Sequence, residues 1–226
     1  MEYSVAEAVK KLIDADPSLK ECLEAGIINY TRMAKKLKPM IEKILEKEVS
    51  VEAIKASLIR YSKTTSRPKW RPGVLRILAG SVLEIRTGIS AVTVRIHMMP
   101  YIINIVNKLL GRARFLAVIQ GLNNVTLIVS DEHYSEILDE LGKENVVEEI
   151  RGESALVIIS PKEIIRTPGF LAYIMDLLGR NGINVLQAVS YYTETMILVS
   201  SDDLMKAFKI ISDAIQLAKY YAGLNK

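Results

Sequence analysis

The stretch SALVIISPKEIIRTPGFLAYIMDLLGRNGINVLQAVS, residues 154–190, decides how the second half of the chain folds. It opens on Ser-Ala-Leu-Val-Ile-Ile (154–159), a short apolar run bounded by Ser160-Pro161, which reads as a strand. Pro168 then starts a helix that runs to Arg180, with Leu171, Ile174, Met175 and Leu178 at i, i+3, i+4 and i+7 on one face. Asn181-Gly182 is a helix C-terminal cap, and strands follow near 184–190 and 194–200. A last helix from Asp202 to about Tyr221 carries Leu204, Phe208, Ile211 and Ile215 at the same spacing.

Working back from this stretch, the same order of elements occurs once before. Ala-Val-Thr-Val-Arg-Ile (91–96) is a strand, Pro100–Leu110 a helix, 115–120 and 124–130 strands, Asp131–Leu141 a helix and 145–151 a strand. Leu109-Leu-Gly-Arg112 recurs as Leu177-Leu-Gly-Arg180, and Leu127-Ile-Val-Ser130 as Ile197-Leu-Val-Ser200. Offsets of 68 and 70 residues mark an internal duplication of a β-α-β-β-α-β unit. The second copy lacks its fourth strand, while Val82–Arg86 alternates like a strand and stands unassigned before the first copy. We expect Val82–Arg86 to cross over and complete the second unit.

The motif of the second copy resembles the ACT domain, a small-molecule sensing module of amino-acid metabolism. Strand Ala155–Ser160, Thr167-Pro-Gly-Phe-Leu171 opening a helix, and Asn181-Gly-Ile-Asn-Val185 entering a strand carry the likeness, which is similar in detail to the regulatory ACT domains of aspartokinases. The whole chain resembles archaeal predicted regulators of amino-acid metabolism with a helical N-terminus and ACT repeats. The resemblance implies an α+β fold: a helical, helix-turn-helix-like domain (1–66), a linker (67–80), and two ferredoxin-like ACT units (81–151 and 152–226). It further implies an amino-acid ligand held between two units by Ile165, Arg166, Thr167, Pro168, Gly169 and Phe170 with Ile183, Asn184, Val185 and Gln187. The residues suit that role: Gly169 permits close backbone approach, the helix start offers free amides to a carboxylate, and Asn184 and Gln187 donate and accept. The matching loop of the first copy, His97-Met-Met-Pro100, is shorter and has no glycine. One ligand site per chain, in the second unit, is therefore expected.

The first 66 residues read as short helices that must pack together to persist. Ser4-Val-Ala-Glu7 is a capping box, Asp16-Pro17 opens a second helix, and a third from Tyr30 to Glu46 is expected to break at Lys38-Pro39. Ser50 caps a fourth helix. Helices 30–37 and 50–62 would then make a helix-turn-helix with about twelve residues between them, against the usual three to four. Thr64–Gly73, with two prolines, reads as linker without helix.

Charge is uneven along the chain. Residues 1–76 hold 16 Lys/Arg against 10 Asp/Glu, a net of +6, and residues 77–226 hold 14 against 16, a net of −2. Between Ala53 and Leu83 there is no acid, and Lys55, Arg60, Lys63, Arg67, Lys69 and Arg71 form a candidate nucleic-acid surface. Glu52 opposes that reading, and a solvated basic linker is its alternative.

At 226 residues, with half apolar and a quarter charged, the chain is globular. It holds no uninterrupted apolar stretch of membrane-spanning length and no basic-then-apolar leader, so a cytoplasmic protein is expected. One cysteine, Cys22, excludes an internal disulfide framework, and His97 and His133 have no ligand-spaced partners, so neither metal nor cofactor is expected. No phosphate loop, dinucleotide fingerprint or nucleophile elbow is present. The expectation is a non-enzyme: a homodimeric, amino-acid-responsive regulator, with DNA as a candidate partner. Two alternatives stand beside it, a regulatory subunit of an amino-acid biosynthetic enzyme and a ligand-free dimeric scaffold.

Overall fold

Gly88 and Gly152, both in the left-handed backbone region with φ of +66° and +63°, interrupt the two longest strands of the protein and set its architecture. The computed structural model describes residues 3–64 and 70–224. Residues divide by their contacts into two units, Met1–Arg71 and Pro72–Lys226.

The first unit contains helices α1 (Val5–Asp14), α2 (Pro17–Glu24), α3 (Tyr30–Leu45) and α4 (Val51–Thr64). The caps follow the sequence. Ser4 and Glu7 bond reciprocally, and the Asp16 carboxylate accepts from the amides of Ser18 and Leu19 at 3.0 and 3.1 Å. Val9, Ile13, Leu23, Met33, Leu37, Ile41, Ile54 and Leu58 make one buried core. The expected break at Lys38-Pro39 does not occur. Pro39 lies inside α3 on its exposed side, as does Lys35, the residue whose carbonyl a proline at 39 cannot serve. The turn between α3 and α4 is therefore the five residues 46–50, with Glu46 left-handed at φ +52°.

Within the stretch read as linker, 67–80, residues Trp70–Ala79 form helix α5. Pro72 sits in the first turn, where its missing N–H costs no helical bond. Val74, Ile77 and Leu78, at i, i+3 and i+4, are buried at 0–2 % exposure. Then come β1 (Val82–Arg95), α6 (Met99–Leu109), β2 (Leu116–Gln120), β3 (Asn124–Ser130), α7 (Tyr134–Leu141), β4 (Val146–Ile159), α8 (Phe170–Arg180), β5 (Val185–Tyr191), β6 (Glu194–Val199) and α9 (Leu204–Leu224).

The six strands form one antiparallel sheet in the order β2-β3-β1-β4-β6-β5. The separate strands read at 82–86 and 91–96 are one strand, β1, and those at 145–151 and 154–159 are one strand, β4. Each long strand serves both halves of the sheet. Val82–Thr87 pairs with Ser154–Ile159 beside β6, as the crossover expectation requires, and Ile89–Arg95 pairs with β3. The register slips between Thr87 and Ile89, where Gly88 lies. Side chains of the two halves stitch the junction. The Gly152 amide donates to Ser90 Oγ at 3.0 Å, Ser90 donates to Asp131, and Ser201 Oγ donates to the Gly152 carbonyl at 3.0 Å.

Alternation along the strands feeds two cores. Val92, Val94, Val125, Leu127 and Val129 pack with Ile102, Ile105 and Leu109 of α6 and Tyr134, Ile137 and Leu141 of α7. The alternate residues Ile89, Ala91 and Ile128 join Ala155, Val157, Met196 and Leu198. Ala117 on outermost β2 and Val189 on outermost β5 reach this same cluster, so the sheet is curled. Helix α9 packs on β1, β4 and α8. Among the described residues no helix is long and apolar enough to cross a membrane.

Candidate functional site

The segment between β4 and α8 is where the sequence places its ligand loop, and it is held by its own backbone. Ser160 N–H donates to the Thr193 carbonyl at 2.8 Å as the chain leaves the sheet. Lys162–Arg166 form a tight 3-10 turn, closed by Thr167 N–H on the Ile164 carbonyl at 3.1 Å and by Thr167 Oγ1 on the Glu163 carbonyl at 2.8 Å. Gly169, at φ +88°, is the N-cap of α8 and leaves that end without a side-chain cap. An L residue strains at this φ, so glycine is what the turn requires. Phe170, 3 % exposed, anchors the first turn in the core. The outcome is an exposed loop, Ile165 and Arg166 at its crest, leading to uncapped helix amides suited to an anionic group.

Helix α8 ends as the sequence predicts. Gly182 is left-handed at φ +73°, and Ile183 N–H bonds to the Leu178 carbonyl at 3.1 Å. Ile183 is buried, Asn184 exposed, and Val185 and Gln187 half-buried at the start of β5. These residues lie at the other end of the sheet from Gly169. Val185 pairs with Val199, which pairs with Ser154, whereas the loop leaves β4 after Ile159, beside Glu194. Eleven helical residues between the two ends span about 16 Å. One unit thus brings Ile165–Phe170 together and keeps them apart from Ile183–Val185; the two groups can share a ligand only where two units abut.

In the first half the corresponding segment is a 3-10 turn, Ile96–Met98, running directly into α6. Met98, not glycine, caps it and is 6 % exposed. Of the basic candidates, Arg60 and Lys63 are exposed on α4 and Lys55 is half-buried. Arg60 Nη2 donates to Ser57 Oγ at 3.2 Å. Arg67, Lys69 and the side chain of Arg71 lie outside the described residues. No three His, Cys, Asp or Glu converge as metal ligands among the described residues.

Residues 150–213 match the ACT domain family. The matched span takes in the Gly169 turn, all of α8, and strands β5 and β6. No curated protein sequence matches the chain. Among solved structures, aspartate kinase from Synechocystis superposes with a TM-score of 0.52 at 14 % identity, covering 74 % of this chain and 31 % of that one. At that identity the likeness is one of fold. The aspartokinase alpha and beta subunits match with a TM-score of 0.48 at 11 % identity over 59 % of this chain and 97 % of theirs. The ligand-free regulatory subunit of aspartate kinase from Thermus thermophilus matches with 0.48 at 14 % identity over 58 % and 95 %.

Two features escaped the sequence reading. Gly88-Ile-Ser-Ala91 recurs as Gly152-Glu-Ser-Ala155, an offset of 64 residues, and marks the bends of β1 and β4. The apolar triplet Val74, Ile77 and Leu78 is the signal for α5, and Pro68 and Pro72, one on each side of Trp70, argue against it.

Proposed function

We propose that the protein is an amino-acid-sensing regulator rather than a catalyst. The ACT match over 150–213, with the Gly169 turn presenting uncapped amides, is the observation that carries this reading. We read 152–226 as the ligand-competent ACT unit, completed by the Val82–Thr87 half of β1, and 81–151 as its companion ACT unit. An amino acid would set its carboxylate on the α8 amides near Thr167–Phe170 and meet Asn184 and Gln187 of an abutting unit, in a homodimer, in the cytoplasm. Ligand binding favours one arrangement of units over another, and the response follows from that difference in affinity.

The helical domain, residues 1–66, is proposed to act on DNA. The five-residue turn between α3 and α4 is closer to helix-turn-helix spacing than the sequence suggested, and Lys55, Lys63 and Arg60 spread over about 140° of α4. Exposed Glu52 at the start of α4 favours a second reading, in which this domain docks on an amino-acid biosynthetic enzyme.

Calorimetric titration with each of the twenty amino acids tests the first claim. One should bind, and Gly169→Leu should abolish binding while the chain stays folded; twenty blanks reject the sensing role. Binding to generic duplex that weakens steeply with salt supports the DNA reading. Co-purification of a biosynthetic enzyme, without DNA affinity, selects the second.

A further inference from the structure

Helix α5 lies against the β4–α8 segment at both ends of that segment. At the C-terminal end of α5, a Cβ added to Gly80 would fall 2.6 Å from Cγ of Pro161. Next to it the buried hydroxyls of Ser81 and Ser160 are 3.0 Å apart, and Ser81 Oγ also donates to the Ile77 carbonyl at 2.8 Å. At the other end, a Cβ added to Gly73 would fall 3.2 Å from Cγ2 of Thr167, two residues before Gly169. Thr167 is fixed in that pose because its Oγ1 is engaged by the Glu163 carbonyl. Gly73 and Gly80 are seven residues apart, two helical turns, and so share one face. At each glycine backbone meets Pro161 or Thr167 directly, while buried Val74, Ile77 and Leu78 hold α5 in the core.

We infer that α5 and the segment 160–169 move as one body, so that α5 is the output lever of the Gly169 turn. The ligand step of this inference rests on the sensing role proposed above; the mechanical coupling does not. Since α5 is where the chain passes from the helical unit into the sheet, a displacement of the turn is delivered to the start of the second unit without crossing the sheet.

Hydrogen exchange of the full-length chain, read peptide by peptide, tests it. Pro161→Ala removes the ring that covers Gly80 and should make the amides of residues 74–81 exchange roughly fivefold faster, with those of β6 unchanged. Gly80→Ala forces Pro161 aside and should speed exchange at Ile164 and Thr167, whose amides close the 3-10 turn. Unaltered exchange across the contact in both variants overturns the coupling. A rise that includes β6 in the first variant marks general unfolding, and the second variant then decides. Finally, each of the twenty amino acids is added at millimolar concentration to the unmodified protein. One that slows exchange in 162–170 must slow 74–81 as well, and protection of the loop alone also overturns the coupling. If none protects the loop, the sensing role fails and the coupling stands or falls by the two variants.

Discussion

Tyr134 is a large polar side chain held 1 % exposed, its hydroxyl donating to the Glu149 carboxylate and the Arg151 guanidinium 4.4 Å from the ring centre. Burial, reinforced by that hydrogen bond and by the Glu149 charge, pushes its phenol up to about 12 from the ordinary 10. A group whose pKa is raised by folding contributes stability that is complete below its unfolded pKa and lost as pH climbs toward its folded one. Unfolding free energy should therefore decline between about pH 10 and 12. In Tyr134→Phe that decline should be shallower than in the parent, measured by denaturant titration across the range; equal slopes would contradict the assignment. At neutral pH the same variant should lose about 1 kcal/mol, the net worth of a hydrogen bond. Two acids of the same stretch take defined partners: Glu149 holds this phenol and Glu153 accepts the Ser201 amide at 2.6 Å. Side-chain partners from 15 and 48 residues away leave no mark in local composition.

At the scale of elements, the helices and strands announce themselves wherever period and cap agree. The reciprocal Ser4–Glu7 box and the Asp16 cap before Pro17 are examples, and Asp16→Ala should cost about 1 kcal/mol in thermal denaturation. Where two signals conflict, the sequence misleads. Pro39 argues for a break but sits on the exposed side of α3, and Pro72 argues for a linker but falls in a first turn. The loop 165–170 was legible because a proline and a left-handed glycine have few uses together. Its separation from Asn184 and Val185 was not, since strand direction and helix length fix it only once register is known. The bends of β1 and β4 are testable in the same terms. A Cβ on Gly152 would meet nothing within 4 Å, so only φ is at stake. Gly152→Ala should destabilise by about 1–2 kcal/mol and Gly152→Asn by less, because asparagine tolerates the left-handed region.

Each of the two units has a core of its own, so two unfolding steps are the expectation at the scale of the whole molecule. Scanning calorimetry should resolve two transitions, or one whose calorimetric enthalpy exceeds its van't Hoff enthalpy. Leu58 and Ile197 are both fully buried, one in each unit. Leu58→Ala should lower only one transition and Ile197→Ala only the other, each by about 2–5 kcal/mol. If the DNA reading holds, replacing Arg60 and Lys63 by Glu should reduce the slope of log K against log salt by about 0.9 for each phosphate no longer neutralised.

The sharing of β1 between both halves of the sheet has a consequence for the protein during synthesis. Ile89–Arg95 can find its β3 partner once Ser130 has left the ribosome, but Val82–Thr87 must wait for Ser154–Ile159. For some thirty residues of translation, a few seconds at ordinary elongation rates, an unpaired strand edge is on offer to any neighbouring nascent chain. The six residues in waiting, Val82-Leu-Glu-Ile-Arg-Thr87, place a charge at every second position from Glu84 to Arg86. Replacing those two charges with valine should leave the finished sheet paired as before and lower the yield of soluble protein, a cost incurred on the way to the fold.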